Sequence, residues 1–476
     1  MIMGRKCLIS MFLLASSFVC TLYPASGELT AQQRDWLARA SRAEREGWIF
    51  VHLEGAPFER GFQHGYILAQ EIKKGIRIDR HLIHWQTPKD FEFFVEAGQR
   101  LFHDKLEDEI KVELEGMALG LAKAGVEGIG YPELLAHNAI HELLWYYWPW
   151  IEEDKEKRMP ENRADGCSAF IATGSATLDS KIVMAHNTWT NYAFASFRNV
   201  IMDLVPDKGH RIMMHTSAGF IHSGSDFFLC SSGIVGTETT IGDFTHEYDT
   251  TGTAEFSRVR RAMQYAESLD EWAKTMIENN SGGYANSWLL GDIHSGEIAR
   301  LELGCNHHRF EKKSDGVFFG SNIAEDRDIL LNETNSNFSD IRKSSVGRKV
   351  SWMRLMKTFK GRIDTEVAKT MLADHYDTYL GRDNPGPRSI CGHGELADGI
   401  TCPTTGTPFY PSGAVDGKVV DAAMAAQMKF WARWGSSCGK PFFADRFIDQ
   451  YPQFEWLRGY MDDRPTRNWA VFEKFK

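Results

Sequence analysis

Cys167 stands where a charged stretch, Glu152 to Gly166 (EEDKEKRMPENRADG), gives way at once to the apolar run SAFIATG. Charge, Pro160 and the closing Asp165-Gly166 mark the first as an exposed loop, and the second reads as a strand. A thiol at such a junction is open to chemistry on the backbone in a way that a mid-strand thiol is not. If the Gly166–Cys167 bond is cut, Cys167 gains an α-amine whose ordinary pKa of about 8 lets it act as base for its own thiol. Gly166 suits the cut because it puts no side chain beside the attacked carbonyl and tolerates strained backbone. Spacing alone leaves the commoner reading, a buried structural cysteine, standing beside this one.

Other polar groups invite chemistry less strongly. His186 and Cys167 would make a papain-like ion pair, but packing or substrate contact is the favoured reading of His186. Arg258 and Arg261 open a predicted helix and could fix a substrate carboxylate, although a solvated helix face is the commoner outcome. His307-His308 and Cys391-Gly392-His393 lack two further ligands at supporting spacing, so neither a metal nor another cofactor is expected.

The elements that must position Cys167 change in texture along the chain. Residues 30–47 and 106–125 read as helices, the latter with Ile110, Leu114, Met117 and Leu121 on one face. The aromatic run Tyr146 to Trp150 reads as core packing. Beyond Cys167, SAFIATG, KIVMAH, HRIMMHTS, FFLCSSGIVGTETTI, NSWLLGD and EIARLELG read as short strands, with Thr177 to Ser180 turning between the first two. Helices are expected over 268–279, 365–376 and 420–433. Segregated runs of strand and helix give an α+β class.

Arg5 and Lys6 precede an apolar stretch from Cys7 to Val19, with Ala25 and Gly27 beyond, which reads as a signal peptide over 1–27 and a secreted or periplasmic protein. In a eukaryotic source a lysosome-like compartment would serve as well. No later segment is long and apolar enough to span a membrane. The net charge of -10, without basic runs, excludes nucleic acid as an expected partner. With Cys167 kept as a thiol, Cys230, Cys305, Cys391, Cys402 and Cys438 permit two disulfides, and Cys391–Cys402 is the one pairing expected.

Asp165-Gly166-Cys167-Ser168-Ala169-Phe170, followed by a hairpin and Val183-Met184-Ala185-His186-Asn187-Thr188-Trp189, resembles the autoproteolytic isopenicillin-N acyltransferase-type cysteine peptidases, a family of N-terminal-nucleophile hydrolases, and the related phospholipase B-like proteins. Gly55 to Gly65 resembles that family's opening segment. Glu113 to Ala118, Ser232 to Ile241, Asn280 to Trp288 and Gly413 to Val419 continue the likeness in order.

The resemblance implies a four-layer αββα fold and a precursor cut into chains 28–166 and 167–476 that stay together without a covalent link. It implies the Cys167 amine as base and Sγ as nucleophile, with Asn280 as an oxyanion donor. Asn187 stands where relatives carry an aspartate that orients the amine. Thr239, beside Glu238, stands where several carry an oxyanion asparagine. His186, Glu238, Trp189 and Asn286 are the implied substrate contacts. Three classes of function follow: hydrolysis or acyl transfer on a linear amide such as an N-acyl amino acid or short peptide, deacylation of a lipid, or binding without chemistry on the same scaffold. Retention of both Gly166 and Cys167 favours the enzyme, since a scaffold has no need of a self-cleaving junction. A papain-type protease remains a fourth reading, with Gly166–Cys167 uncut.

Overall fold

The computed structural model describes residues 27–152, 167–245, 247–400 and 407–475. The expected signal peptide up to residue 26, Gly166 and Cys402 lie outside the described residues.

Side chains alternate across a strand, so one apolar strand can serve two cores. The strand Ser168–Thr173 does this: Ala169 and Ile171 join one hydrophobic cluster, while Phe170 and Ala172 join another. It sits in a six-stranded antiparallel sheet, in the order Gly316–Gly320, Ser168–Thr173, Val183–Asn187, Asp416–Asp421, Lys429–Trp434, Ala470–Glu473. Phe170 and Ala172 face the helices Ser344–Thr358 and Thr365–Leu372, where the Phe170 and Trp352 rings lie 5.4 Å apart. Ala169 and Ile171 face a second, nine-stranded sheet. A Cβ on Gly291 of that sheet would lie 2.8 Å from Ile171, so the absence of a side chain lets the sheets close there.

The nine-stranded sheet runs Ser41–Arg45, Trp48–Gly55, Val200–Pro206, Ile212–Thr216, Phe227–Cys230, Ile234–Thr240, Asn286–Asp292, Ile298–Leu303, His308–Lys313. Its one parallel pair joins Trp48–Gly55 to Val200–Pro206. The helices Glu255–Tyr265 and Leu269–Ile277 cover its outer face, with Trp272 packed 5.0 Å from Trp288 of the strand Asn286–Asp292. Helix, sheet, sheet and helix make the four-layer αββα arrangement of an α+β protein.

The helix-rich segment before Cys167 is built around the crossing of Pro57–Ile67 with Asp108–Lys123. A Cβ on Gly61 or Gly65 would lie 2.0 Å from the carbonyl oxygen of Glu113 or Met117, so only glycine permits this approach. Tyr146, Tyr147 and Trp148 are buried as expected, while Trp150 is exposed. The helices expected over 268–279 and 365–376 form, as Leu269–Ile277 and Thr365–Leu372.

Two expectations fail. Over 30–47 the helix stops at Ala38, and Ser41–Arg45 is an exposed edge strand. Over 420–433 only Ala422–Ala425 is helical, between the strands Asp416–Asp421 and Lys429–Trp434. The run DAAMAAQM carries strong helix formers, but sheet pairing on both sides overrides propensity. Among the described residues no helix is long and apolar enough to cross a membrane.

Candidate active site

Cys167 precedes the strand Ser168–Thr173 and is buried. By alternation its side chain shares the inter-sheet side with Ala169 and Ile171. Ser168 pairs with Asn187, so one step further Cys167 lies across from Thr188. Thr188 belongs to a buried polar cluster: its hydroxyl accepts from Lys418 Nζ at 2.6 Å, and its backbone N–H donates to Asp416 Oδ1 at 3.1 Å. Lys418 also reaches Asp416 Oδ1 at 2.7 Å and His215 Nδ1 at 3.0 Å, which ties the two sheets together beside the cysteine. Burial draws the Lys418 ammonium below the ordinary lysine range, against Asp416, which holds it up together with a weaker pull from the Cys167 thiol.

Arg348, from the helix Ser344–Thr358, approaches from the other side. Its Nη1 donates to the Cys167 carbonyl oxygen at 2.6 Å and to Ser168 Oγ at 3.2 Å, and its Nη2 donates to Asn322 Oδ1 at 2.9 Å. Asn322 donates in turn to the Thr240 carbonyl oxygen at 2.7 Å, and the guanidinium stands 5.4 Å from the Trp189 ring centroid. With Ser344 Oγ, the four acceptors of Arg348 among the described residues are all neutral. Burial pushes its pKa down to about 10, and the Cys167 thiol works the other way. A fixed cation without a carboxylate partner among the described residues favours negative charge on a nearby sulfur or substrate oxygen.

The structure sorts the residues expected from sequence into three places. Thr239 and His186 lie by Ala169, two residues beyond Cys167, and Trp189 lies beside Arg348. Thr239 lies so close over Gly320, the partner of Ala169, that a Cβ there would meet its Oγ1 at 2.2 Å. His186 pairs with both Ala169 and Lys418, and burial beside the Lys418 charge holds its imidazole well below the ordinary histidine range. At neutral pH it is an uncharged ring, unlike the imidazolium of a papain-like pair.

Asn187 and Asn280 are committed elsewhere. Asn187 faces the helices, away from Cys167, donating to the Leu372 and Ile390 carbonyl oxygens and accepting from Ser437 Oγ. Asn280 gives its amide to Gly304 at 2.6 Å, and its oxygen accepts from Arg258 and the Gly282 N–H. Glu238 and Asn286 lie on the outer face of the nine-stranded sheet. Glu238 pairs with Trp288, and Asn286, two residues away on the same strand, shares that face beneath the helix Glu255–Tyr265. Arg258 is buried, holding backbone carbonyls of Thr253 and Met276, and only Arg261 matches the solvated face expected for both.

Sequence reasoning missed Arg348, Asn322, Asp416 and Lys418 as neighbours of Cys167. Asp416 and Lys418 are two apart in a strand segment, a spacing that puts both on one face, and that was a usable signal. Arg348 and Asn322 come from separate elements, and no local pattern announces them.

A family model described as Phospholipase B matches residues 138–302. An uncharacterized protein of Archaeoglobus fulgidus is 24% identical over 355 residues, 68% of this chain and 58% of its own length. Phospholipase B-like protein F of Dictyostelium discoideum is 30% identical over 24% of this chain and 21% of its own. Phospholipase B-like 1 of Bos taurus is 29% identical over 39% of this chain and 36% of its own. The match thus spans less than two thirds of each of these relatives. A variant of the conjugated bile acid hydrolase of Clostridium perfringens aligns over 56% of this chain and 89% of its own at 9% identity, with a TM-score of 0.30 that carries no weight. The chain is therefore similar to the phospholipase B family, as its motifs led one to expect, across the segment that holds Cys167, the charged stretch before it and the strands facing it.

Proposed function

We propose that the protein is a self-processing N-terminal-nucleophile hydrolase that acts through Cys167 on a linear amide, an N-acyl amino acid or short peptide, and can pass the acyl group to an acceptor other than water. The observation that supports it best is the setting of Cys167: it follows a charged stretch of sequence, heads a central strand, and is buried near two cationic side chains, Arg348 and Lys418. In the first reaction Sγ attacks the Gly166 carbonyl carbon, the Gly166–Cys167 C–N bond breaks, and the nitrogen leaves protonated as the new α-amine. Water then hydrolyses the thioester, leaving a Gly166 carboxylate and a Cys167 thiol.

In turnover the α-amine takes the thiol proton, Sγ forms the acyl-enzyme and the leaving amine departs with that proton. Water or an amine then takes the acyl group. Arg348 steadies Cys167 through its carbonyl, and the Thr239 hydroxyl is the oxyanion donor on the facing sheet. A second reading, deacylation of a lipid ester by the same steps, is favoured by the likeness to phospholipase B proteins.

N-terminal sequencing and intact mass of the purified protein beside Cys167→Ala test the proposal. Two chains meeting at Cys167 in the wild type, with one chain in the variant, are expected. N-acyl amino acids and lysophospholipids assayed on the cut protein then separate the two substrate classes. A chain left whole in both samples under activating conditions would sink the mechanism.

A further inference from the structure

His375, Cys391, His393 and Cys438 are far apart in sequence, yet the structure gathers one ligand atom from each within 4.8 Å of the others. The sequence offered only Cys391-Gly392-His393, and the two missing ligands come from other segments. His375 follows the helix Thr365–Leu372, and Cys438 follows the strand Lys429–Trp434. Cys391 and His393 are buried, and the other two are half-buried.

The chemistry around the four is that of a metal site. Nε2 of His393 faces both sulfurs, 3.7 Å from Cys391 Sγ and 3.4 Å from Cys438 Sγ. A tetrahedral zinc with bonds of about 2.0 to 2.3 Å sets its ligand atoms roughly 3.3 to 3.8 Å apart. Glu395 Oε1 lies 3.1 Å from His393 Nδ1, which leaves the Nε2 lone pair for the sulfur side. The other Glu395 oxygen accepts from Tyr192 at 2.5 Å. A carboxylate behind a histidine is the usual outer support of a metal ligand. Cys438 Sγ lies 3.4 Å from the Lys440 N–H, a donor suited to a thiolate, and 3.3 Å from the Ser436 hydroxyl. His375 Nε2 is buried and makes no hydrogen bond among the described residues. A disulfide has no need of two histidines, and a nucleophile–base pair has no need of a second cysteine.

We infer that His375, Cys391, His393 and Cys438 bind one zinc ion in a closed, structural site. Four protein ligands leave no position for substrate, so the ion acts by holding segments together. Those segments carry Leu372, Ile390 and Ser437, the three partners of the Asn187 side chain. Asn187 pairs with Ser168, so the ion braces the strand next to the one that Cys167 heads.

Metal analysis of the full-length protein, purified without a metal-affinity tag, tests this. About one zinc per chain is expected, retained in Cys167→Ala and reduced at least ten-fold in Cys391→Ser and Cys438→Ser. Should those variants fail to fold, cobalt(II) exchanged into the wild type gives an independent readout: intense tetrahedral d–d bands with thiolate charge transfer, abolished by added zinc. Non-reducing peptide mapping that finds a Cys391–Cys438 disulfide overturns the inference, as does cobalt that stays octahedral or metal content unchanged by the substitutions.

Discussion

At the residue scale, Arg348 is the group whose loss is most informative. It holds the Cys167 carbonyl, Ser168 and Asn322 at once and brings a buried charge that no carboxylate among the described residues neutralises. Arg348→Met should raise the pKa of the Cys167 thiol by roughly one unit, about 1.4 kcal/mol. The pH profile of iodoacetamide alkylation reads this directly, with the midpoint moving to higher pH. Arg348→Lys keeps the charge but cannot span three acceptors, so it should restore the midpoint and not the turnover rate. An unmoved midpoint in Arg348→Met would remove Arg348 from the electrostatics of the thiol. The place of Cys167 at the head of a strand was legible because the start of an apolar run is a local property of sequence. Lys418 and Arg348 were not, because they reach it from two elements whose meeting is decided by sheet order. Asn187 shows the limit of motif position: one residue's shift along a strand reverses the face, and Thr188, not Asn187, lies across from Cys167.

At the element scale, the strands from Ser168 to Leu303 were legible because their apolar runs are short and bounded by turns, whereas 420–433 was misread because its alanines report propensity and not pairing. The helix Glu255–Tyr265 carries a feature that propensity also hides. Its first residue, Glu255, is buried, and burial with the nearby Asp226 and Glu142 carboxylates raises its pKa to about 8 despite Arg258. Between the ordinary glutamate value of about 4.5 and 8, the folded chain holds this proton and the unfolded chain releases it. The contribution to stability is therefore complete below about pH 4.5 and is lost as pH rises through 8, with a slope on the order of 1 kcal/mol per pH unit. Glu255→Gln keeps the neutral form at every pH, so its melting temperature should fall less than that of the wild type between pH 5 and 8. Parallel melting curves would mean that Glu255 is ionised in the folded protein.

At the scale of the whole molecule, the proposed cut must leave two chains that do not separate, and the fold supplies the means. The strand Trp48–Gly55 lies inside the nine-stranded sheet, paired along its length with Val200–Pro206, so each prospective chain completes the other's sheet. Behind it, Glu113 is buried between two cations, accepting from Arg60 Nε at 2.7 Å on its own side of the cut and from Arg260 at 3.2 Å on the other. Arg60 keeps Glu109 as a second partner, but no other carboxylate forms an ion pair with Arg260 among the described residues. Removing one member of such a network leaves buried charge uncompensated, at a cost of about 3–5 kcal/mol. In the cut protein, Glu113→Ala should lower the urea concentration at which the two chains separate on size exclusion. In the uncut Cys167→Ala background it should lower the melting temperature as well. Glu113→Gln, which retains an acceptor oxygen, should fall between the two. If separation in Glu113→Ala occurs at the wild-type urea concentration while the melting temperature drops, the network stabilises the fold within one chain, and the shared sheet alone holds the pair together.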